Sequence, residues 1–167
     1  MPTLIRWLED KAVVQNDPFA SVADDQDMAH GNVIISLARF QADGERLLAE
    51  GREVGVRVKA NEAVEDLAYD LPRIAVIALE FPAFRHGQAY TSANLLRERF
   101  GYKGQIRAVG DVLRDQAGFM VRCGFDAFEP ADSSSAQEWT AAAHRYGHVY
   151  QRAADRRAPA FLERGGV

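Results

Sequence analysis

Ile74-Ala75-Val76-Ile77-Ala78-Leu79 is an unbroken apolar run with no polar alternation. A strand with water on one face alternates, so this run reads as a central strand covered on both faces, the signature of a parallel α/β sheet. Pro72 lies just before the run and Glu80 just after it. The connection that follows, Phe81-Pro82-Ala83-Phe84-Arg85-His86-Gly87-Gln88-Ala89-Tyr90, holds two Phe, an Arg, a His and a Tyr in one loop.

On either side of this run, strand and helix signals alternate. Upstream, Val33-Ile34-Ile35 is a short apolar run, and Ser36 is placed to cap a helix carrying Leu37, Phe40, Leu47 and Leu48, which Gly51 ends. Val54-Gly55-Val56-Arg57-Val58 reads as a strand, and Asn61 can cap a helix with Val64, Leu67 and Ala68 that Pro72 ends. Downstream, Thr91 or Ser92 is expected to cap a helix with Leu95, Leu96, Arg97 and Arg99. Residues 105–109 form the next strand, 115–123 a helix closed by Gly124, and 125–129 the last strand. Residues 137–157 are expected as a long C-terminal helix with Trp139, Ala143, Tyr146 and Tyr150 on one stripe.

About four βα repeats with short connections imply right-handed crossovers. The expected fold is α/β, a parallel sheet of four to five strands, arranged as an open sheet or a partial (β/α) barrel, plus the long C-terminal helix. Four or five strands are too few to close an eight-stranded barrel. Residues 1–31 are expected as an irregular N-terminal arm, with a short strand over Lys11–Gln15 and a turn at Asn16-Asp17-Pro18. Residues 32–157 make the single α/β domain and 158–167 a tail.

Composition narrows the function classes. The 167 residues fit one domain, and 47% hydrophobic with 26% charged residues is ordinary globular usage rather than disorder. A formal charge of −4 supplies no general basic field, which argues against nucleic acid and anionic membrane as partners. No apolar run is long enough for a signal peptide or a span, and a lone Cys123 suits a reducing compartment, so the cytoplasm is expected. Cys123, late in a helix, is poorly placed as a nucleophile. There is no G-x-G-x-x-G, Walker motif or Cys cluster, and therefore no expected cofactor. His144 and His148 are spaced i, i+4 but lack a completing carboxylate, so no metal is expected either.

Ligands of parallel sheets sit at the carboxyl ends of the strands. There the chain carries Lys59 and Asn61, the 80–90 loop, and Gly110-Asp111 through Gln116, with Glu129 and Asp132. Glu80 and Asp111 are the candidate acid–base residues. Arg85, His86, Tyr90, Arg107, Asp111 and Gln116 are the candidate ligand contacts. The plainer alternative makes these solvated loop residues and helix caps, with Phe81 and Phe84 plugging the core. Arg57 and Arg107, inside strands, need carboxylates, which Glu80, Asp126 or Glu129 can supply.

Several stretches carry a resemblance: Glu80-Phe81-Pro82, Gly87, Ala89-Tyr90, Leu95-Leu96-Arg97-Glu98-Arg99-Phe100-Gly101-Tyr102, Arg107-Ala108-Val109-Gly110-Asp111-Val112-Leu113-Arg114-Asp115-Gln116, and Arg122-Cys123-Gly124-Phe125-Asp126-Ala127-Phe128. Together they resemble an uncharacterised bacterial domain-of-unknown-function family described as "oxidoreductase probably involved in sulfite reduction", whose members tend to be encoded beside assimilatory sulfite reductase. The match is close over about residues 79–129. Family members often carry Asp-Phe-Pro-Lys-Phe-x-Asp-Gly-Arg in the loop, where this chain has Glu80, Ala83, His86 and Gln88 at the four charged positions. The resemblance implies an accessory protein of assimilatory sulfite reduction that binds the sulfite reductase or its electron donor. The residues alone also admit a small (β/α)-type enzyme holding an anionic metabolite between Arg85, Arg107 and Asp111. A homodimer packed through the C-terminal helix is compatible with either role.

Overall fold

The computed structural model describes residues 3–83 and 85–163. Phe84, expected as a core plug, and the end of the expected tail lie outside the described residues. The strands are β1 (Leu4–Leu8), β2 (Lys11–Gln15), β3 (Phe19–Ser21), β4 (Asn32–Ser36), β5 (Val54–Val58), β6 (Val76–Phe81), β7 (Gln105–Gly110) and β8 (Ala127–Phe128). The helices are α1 (Leu37–Ala49), α2 (Gln88–Asn94), α3 (Ala117–Cys123), α4 (Ala136–Ala143) and α5 (Ala160–Glu163).

All eight strands belong to one sheet, in the order β2-β1-β8-β7-β6-β5-β4-β3. Neighbours from β3 to β8 are parallel, and β1 runs antiparallel to both β8 and β2. The apolar run is central as expected, displaced by two residues to Val76–Phe81.

The sheet is strongly curled. Strands β2 and β3 are its opposite edges, yet only residues 16–18 join them. Seven strand gaps of about 4.8 Å would hold flat edges about 34 Å apart. The four-residue step from Gln15 to Phe19 reaches at most about 14 Å. The sheet must therefore bend into an open half-barrel, with residues 16–18 as a strap between its edges.

Burial divides along the pleat. Val33, Ile35, Val56, Ile77, Leu79, Ile106 and Phe128 join Leu37, Phe40, Leu96, Met120 and Trp139 in the large core beneath the helices. The alternate positions Phe19, Ile34, Val76, Ala78 and Val109 form a smaller cluster on the inner face. At about 25 cal/mol per Å2 of apolar surface, this two-sided burial dominates the fold's stabilisation.

Four expectations require correction. The sheet has eight strands rather than four or five. The N-terminal arm is less irregular than expected: the foreseen strand over Lys11–Gln15 is β2, but the arm also supplies β1 and β3, whose apolar positions are too few and short for periodicity to reveal. The Asn61-capped helix is only a 3-10 turn at Val64–Leu67, with a second at Leu71–Arg73 that places Pro72 near its start. The long C-terminal helix is the eight-residue α4. Its start is strong, a reciprocal Ser135–Glu138 capping box. It stops at His144, whose ring bonds the Asp10 carbonyl oxygen at 2.8 Å and packs on Trp7, and Gly147 does not favour renewed helix. Trp139 is fully buried and stacked on Phe128, whereas Tyr146 and Tyr150, 69% and 84% exposed, lie beyond the helix.

Smaller shifts follow the same physics. Ser36 caps α1 by accepting from the Arg39 amide at 3.1 Å, and Gly124 ends α3 at φ 108°. Thr91 and Ser92 are inside α2 rather than before it, because the helix starts at Gln88 and continues as a π turn over Leu95–Arg99.

Candidate functional site

Register decides what meets at the carboxyl ends of the strands. On the inner face, Arg57, Ala78 and Arg107 share a row, with Glu80 and Val109 one pleat further on. The Arg57 Nε lies 3.0 Å from Glu80 Oε2. Arg107, with no exposed surface, is more heavily engaged. Its Nη1 donates to Asp17 Oδ2 at 2.5 Å and to Glu129 Oε1 at 2.9 Å. Its Nη2 donates to Asp17 Oδ1 at 3.0 Å and its Nε to Gln105 Oε1 at 2.9 Å. Burial works against the guanidinium's charge, but hydrogen bonds to the two carboxylates outweigh it and raise the pKa above the ordinary arginine value.

Asp17 belongs to the strap. A bidentate Arg–carboxylate pair thus ties the connection between the sheet's edges to its middle. The space left on this face, lined by Ser21, Ile34, Arg57, Ala78, Val109 and Glu129, is about 30 Å3. That is room for a water molecule rather than a metabolite.

The other candidates scatter around this plugged mouth. Glu80 and His86 share a shallow groove of about 430 Å3 with Lys59, Asn61 and Gln88. Arg85 and His86 are exposed. The Asp111 amide donates to the Phe81 carbonyl oxygen at 2.8 Å, and the half-exposed residue continues the β7 end. The preceding Gly110 is left-handed at φ 92°, and a Cβ there would sit 2.4 Å from the Phe81 oxygen. Gln116 closes the short 3-10 turn Arg114–Gln116 leading into α3. Tyr90 is on the opposite side of the sheet, edge-on to Phe81 and Phe125 at 5.2 and 6.3 Å. Burial, with a smaller contribution from Cys123, pushes its pKa up to about 12. The structure therefore brings Glu80 together with His86, and Arg107 with Glu129, but does not assemble all six proposed ligand contacts around one cavity.

Of the carboxylates expected for the strand arginines, Glu80 and Glu129 take that role. Asp126 instead accepts from the Ile106 amide at 2.8 Å and faces Arg6 and Arg97 at 3.5 and 3.6 Å. Burial raises its pKa against the pull of Arg97. Asp17 was missed. The need of a buried arginine for a carboxylate was legible, but nothing in Asn16-Asp17-Pro18 marks the turn as crossing the sheet.

A second region lies on the helix side. Trp7, Phe119, Arg122, His144, Tyr146 and Tyr150 are among the residues lining a groove of about 460 Å3. His148 does not pair with His144 but bonds Glu163 Oε2 at 2.6 Å. Among the described residues, no group of three or more His, Cys, Asp or Glu side chains could hold a metal ion. Burial pushes the half-buried Cys123 thiol up, away from the thiolate. No helix among the described residues is long and apolar enough to cross a membrane.

Residues 55–161 match the model of a family described as bacterial protein of unknown function (DUF934), and the chain belongs to that family. No curated protein matches the chain significantly. The match begins within β5, so Arg107 and Glu129 fall inside it and the strap residue Asp17 outside.

Proposed function

For this member of the family, we propose a binding role: an accessory protein of assimilatory sulfite reduction that works in the cytoplasm and engages the sulfite reductase or its electron donor. The observation that carries the binding role is the inner face at the strand carboxyl ends. Arg107, Asp17 and Glu129 occupy it, and about 30 Å3 remains. Barrel-type enzymes hold a substrate at that position in a cavity of several hundred Å3, roughly 300 or more. The link to sulfite reduction comes from the sequence resemblance. The test is co-purification of the chain with the sirohaem-containing reductase and with its electron donor, alongside sulfite reduction in a deletion strain. A stable complex and slowed reduction are expected; no interaction with either protein, and normal reduction, would overturn the proposal.

The groove around Glu80 and His86 supports a second reading, an enzyme acting on a small anionic metabolite outside the plugged mouth, with Arg85 and Asp111 kept from the sequence as its anion contact and acid–base candidate. On that reading Asp111→Asn abolishes turnover in a folded protein, whereas a binding role leaves complex formation intact after the same change.

A further inference from the structure

At the end of the sheet where the parallel strands begin, far from the carboxyl-end mouth, lies a hollow of about 590 Å3. Arg97, Glu98, Tyr102, Lys103, Arg152 and Arg156 line most of it. Four cations face one carboxylate, in a chain whose formal charge is −4.

The cations differ in how they are engaged. Arg97 donates from Nε to the Gly124 oxygen at 3.0 Å and from Nη1 to the Tyr102 and Gly104 oxygens at 2.8 and 2.9 Å. It forms a fixed floor. The side chains of Lys103, Arg152 and Arg156 make no hydrogen bond or ion pair among the described residues.

The loop carrying the two arginines sorts its charges. Asp155 turns to the neighbouring groove, where Arg122 Nε donates to its Oδ2 at 3.2 Å. Arg157 turns the same way and donates from Nη2 to the Gly147 oxygen at 2.7 Å. Arg152 and Arg156, either side of Asp155, face the hollow. Arg156 holds a left-handed φ of 58°, which a bulky residue adopts only against a steric cost. The one acid of the loop is thus withdrawn and its unengaged bases are left together.

With Arg97 facing Asp126 at 3.6 Å and Glu98 the one carboxylate of the lining, the positive charges of Lys103, Arg152 and Arg156 remain in excess, and an anion between them relieves their repulsion. We propose that this hollow binds a small polyanion carrying two or more phosphate- or sulfate-type groups. Three unengaged cations from two chain segments match several anionic groups better than one, and Arg forks suit such oxygens bidentately. The volume is that of a small-molecule site, and its concavity favours a compact ligand over the broad face of an acidic protein. The inference is independent of the role in sulfite reduction.

Isothermal titration of the full chain with tripolyphosphate, pyrophosphate and orthophosphate at low ionic strength tests it. Saturation at one site is expected, with affinity rising with ligand charge. The double variant Arg152→Glu, Arg156→Glu should lose at least about tenfold in tripolyphosphate affinity. Lys11→Glu, on the exposed edge strand β2, should change it by less than about twofold. Unfolding curves matching the parent show that both variants fold. Absence of saturation with all three probes overturns the site, as does equal weakening by Lys11→Glu, which would mark diffuse counter-ion attraction.

Discussion

Arg107 and Arg152 are the same side chain put to opposite uses. Arg107 lies on the inner face of the sheet, fully buried, with all three guanidinium nitrogens donating. Arg152 stands exposed on a loop without a partner among the described residues. The first cannot leave its carboxylates without stranding charge in a poorly solvated space. The second is hydrated and can exchange water for a ligand at little cost. The inner face at the strand carboxyl ends, where parallel sheets usually do their chemistry, is here filled by paired charges, and the open surfaces lie around it and at the other end of the sheet.

Arg107→Leu should have the largest effect, a loss of about 3–5 kcal/mol, because Asp17 and Glu129 are left facing each other. Denaturant unfolding measures it. A loss under about 1 kcal/mol would break the contrast. The triple variant Arg107→Leu, Asp17→Asn, Glu129→Gln should recover part of the loss by removing both stranded charges.

Gly110→Ala should cost about 2–3 kcal/mol, since the new Cβ meets the Phe81 oxygen in a left-handed conformation. Thermal unfolding reads this directly. The exposed double variant Arg152→Glu, Arg156→Glu should stay within about 0.5 kcal/mol of the parent. A large destabilisation there would make those arginines structural and erase the distinction.

A further effect concerns pH. Tyr90 has its folded-state pKa raised to about 12, against an unfolded value near 10. The folded chain therefore holds more protons between these values, so this contribution is fully present below about pH 10 and is lost as pH rises through about 12. Unfolding at a series of alkaline pH values should show the decline, and Tyr90→Phe should lessen its slope, leaving the part due to Tyr102, whose pKa burial also raises. An unchanged slope in that variant would assign the effect to other groups.

How much of this was legible follows from where each signal resides. The central strand announced itself through Val76 to Leu79, which need no partner to be recognised as doubly covered. The helix ends at Ser36, Gly51 and Gly124 were equally plain, because capping and left-handed turns are local chemistry. Strands β1 and β3 were not, since β1 is defined by its distant pairing with β8 and β3 is a three-residue edge strand defined only by its pairing with β4. The helix expected over 137–157 shows the converse failure. Trp139, Tyr146 and Tyr150 do have helical spacing, but tertiary contacts at His144 end the helix before the last two. At the mouth, the demand of Arg107 for a carboxylate was readable and Glu129 was foreseen. That the strap would deliver Asp17 and close the space depended on the curl of the whole sheet.

The strap also sets an order of events during synthesis. Arg6 bonds the Asp126 carbonyl across a sequence separation of 120 residues. Strand β1 has no partner but β2 until β8 has emerged from the ribosome, and Asp17 waits for Arg107 and Glu129. Residues made early are thus among the last to settle, and loop closure over such a span is slow. Until then the edge of β7 stands open to other strands, the interval in which this chain most needs protection from aggregation.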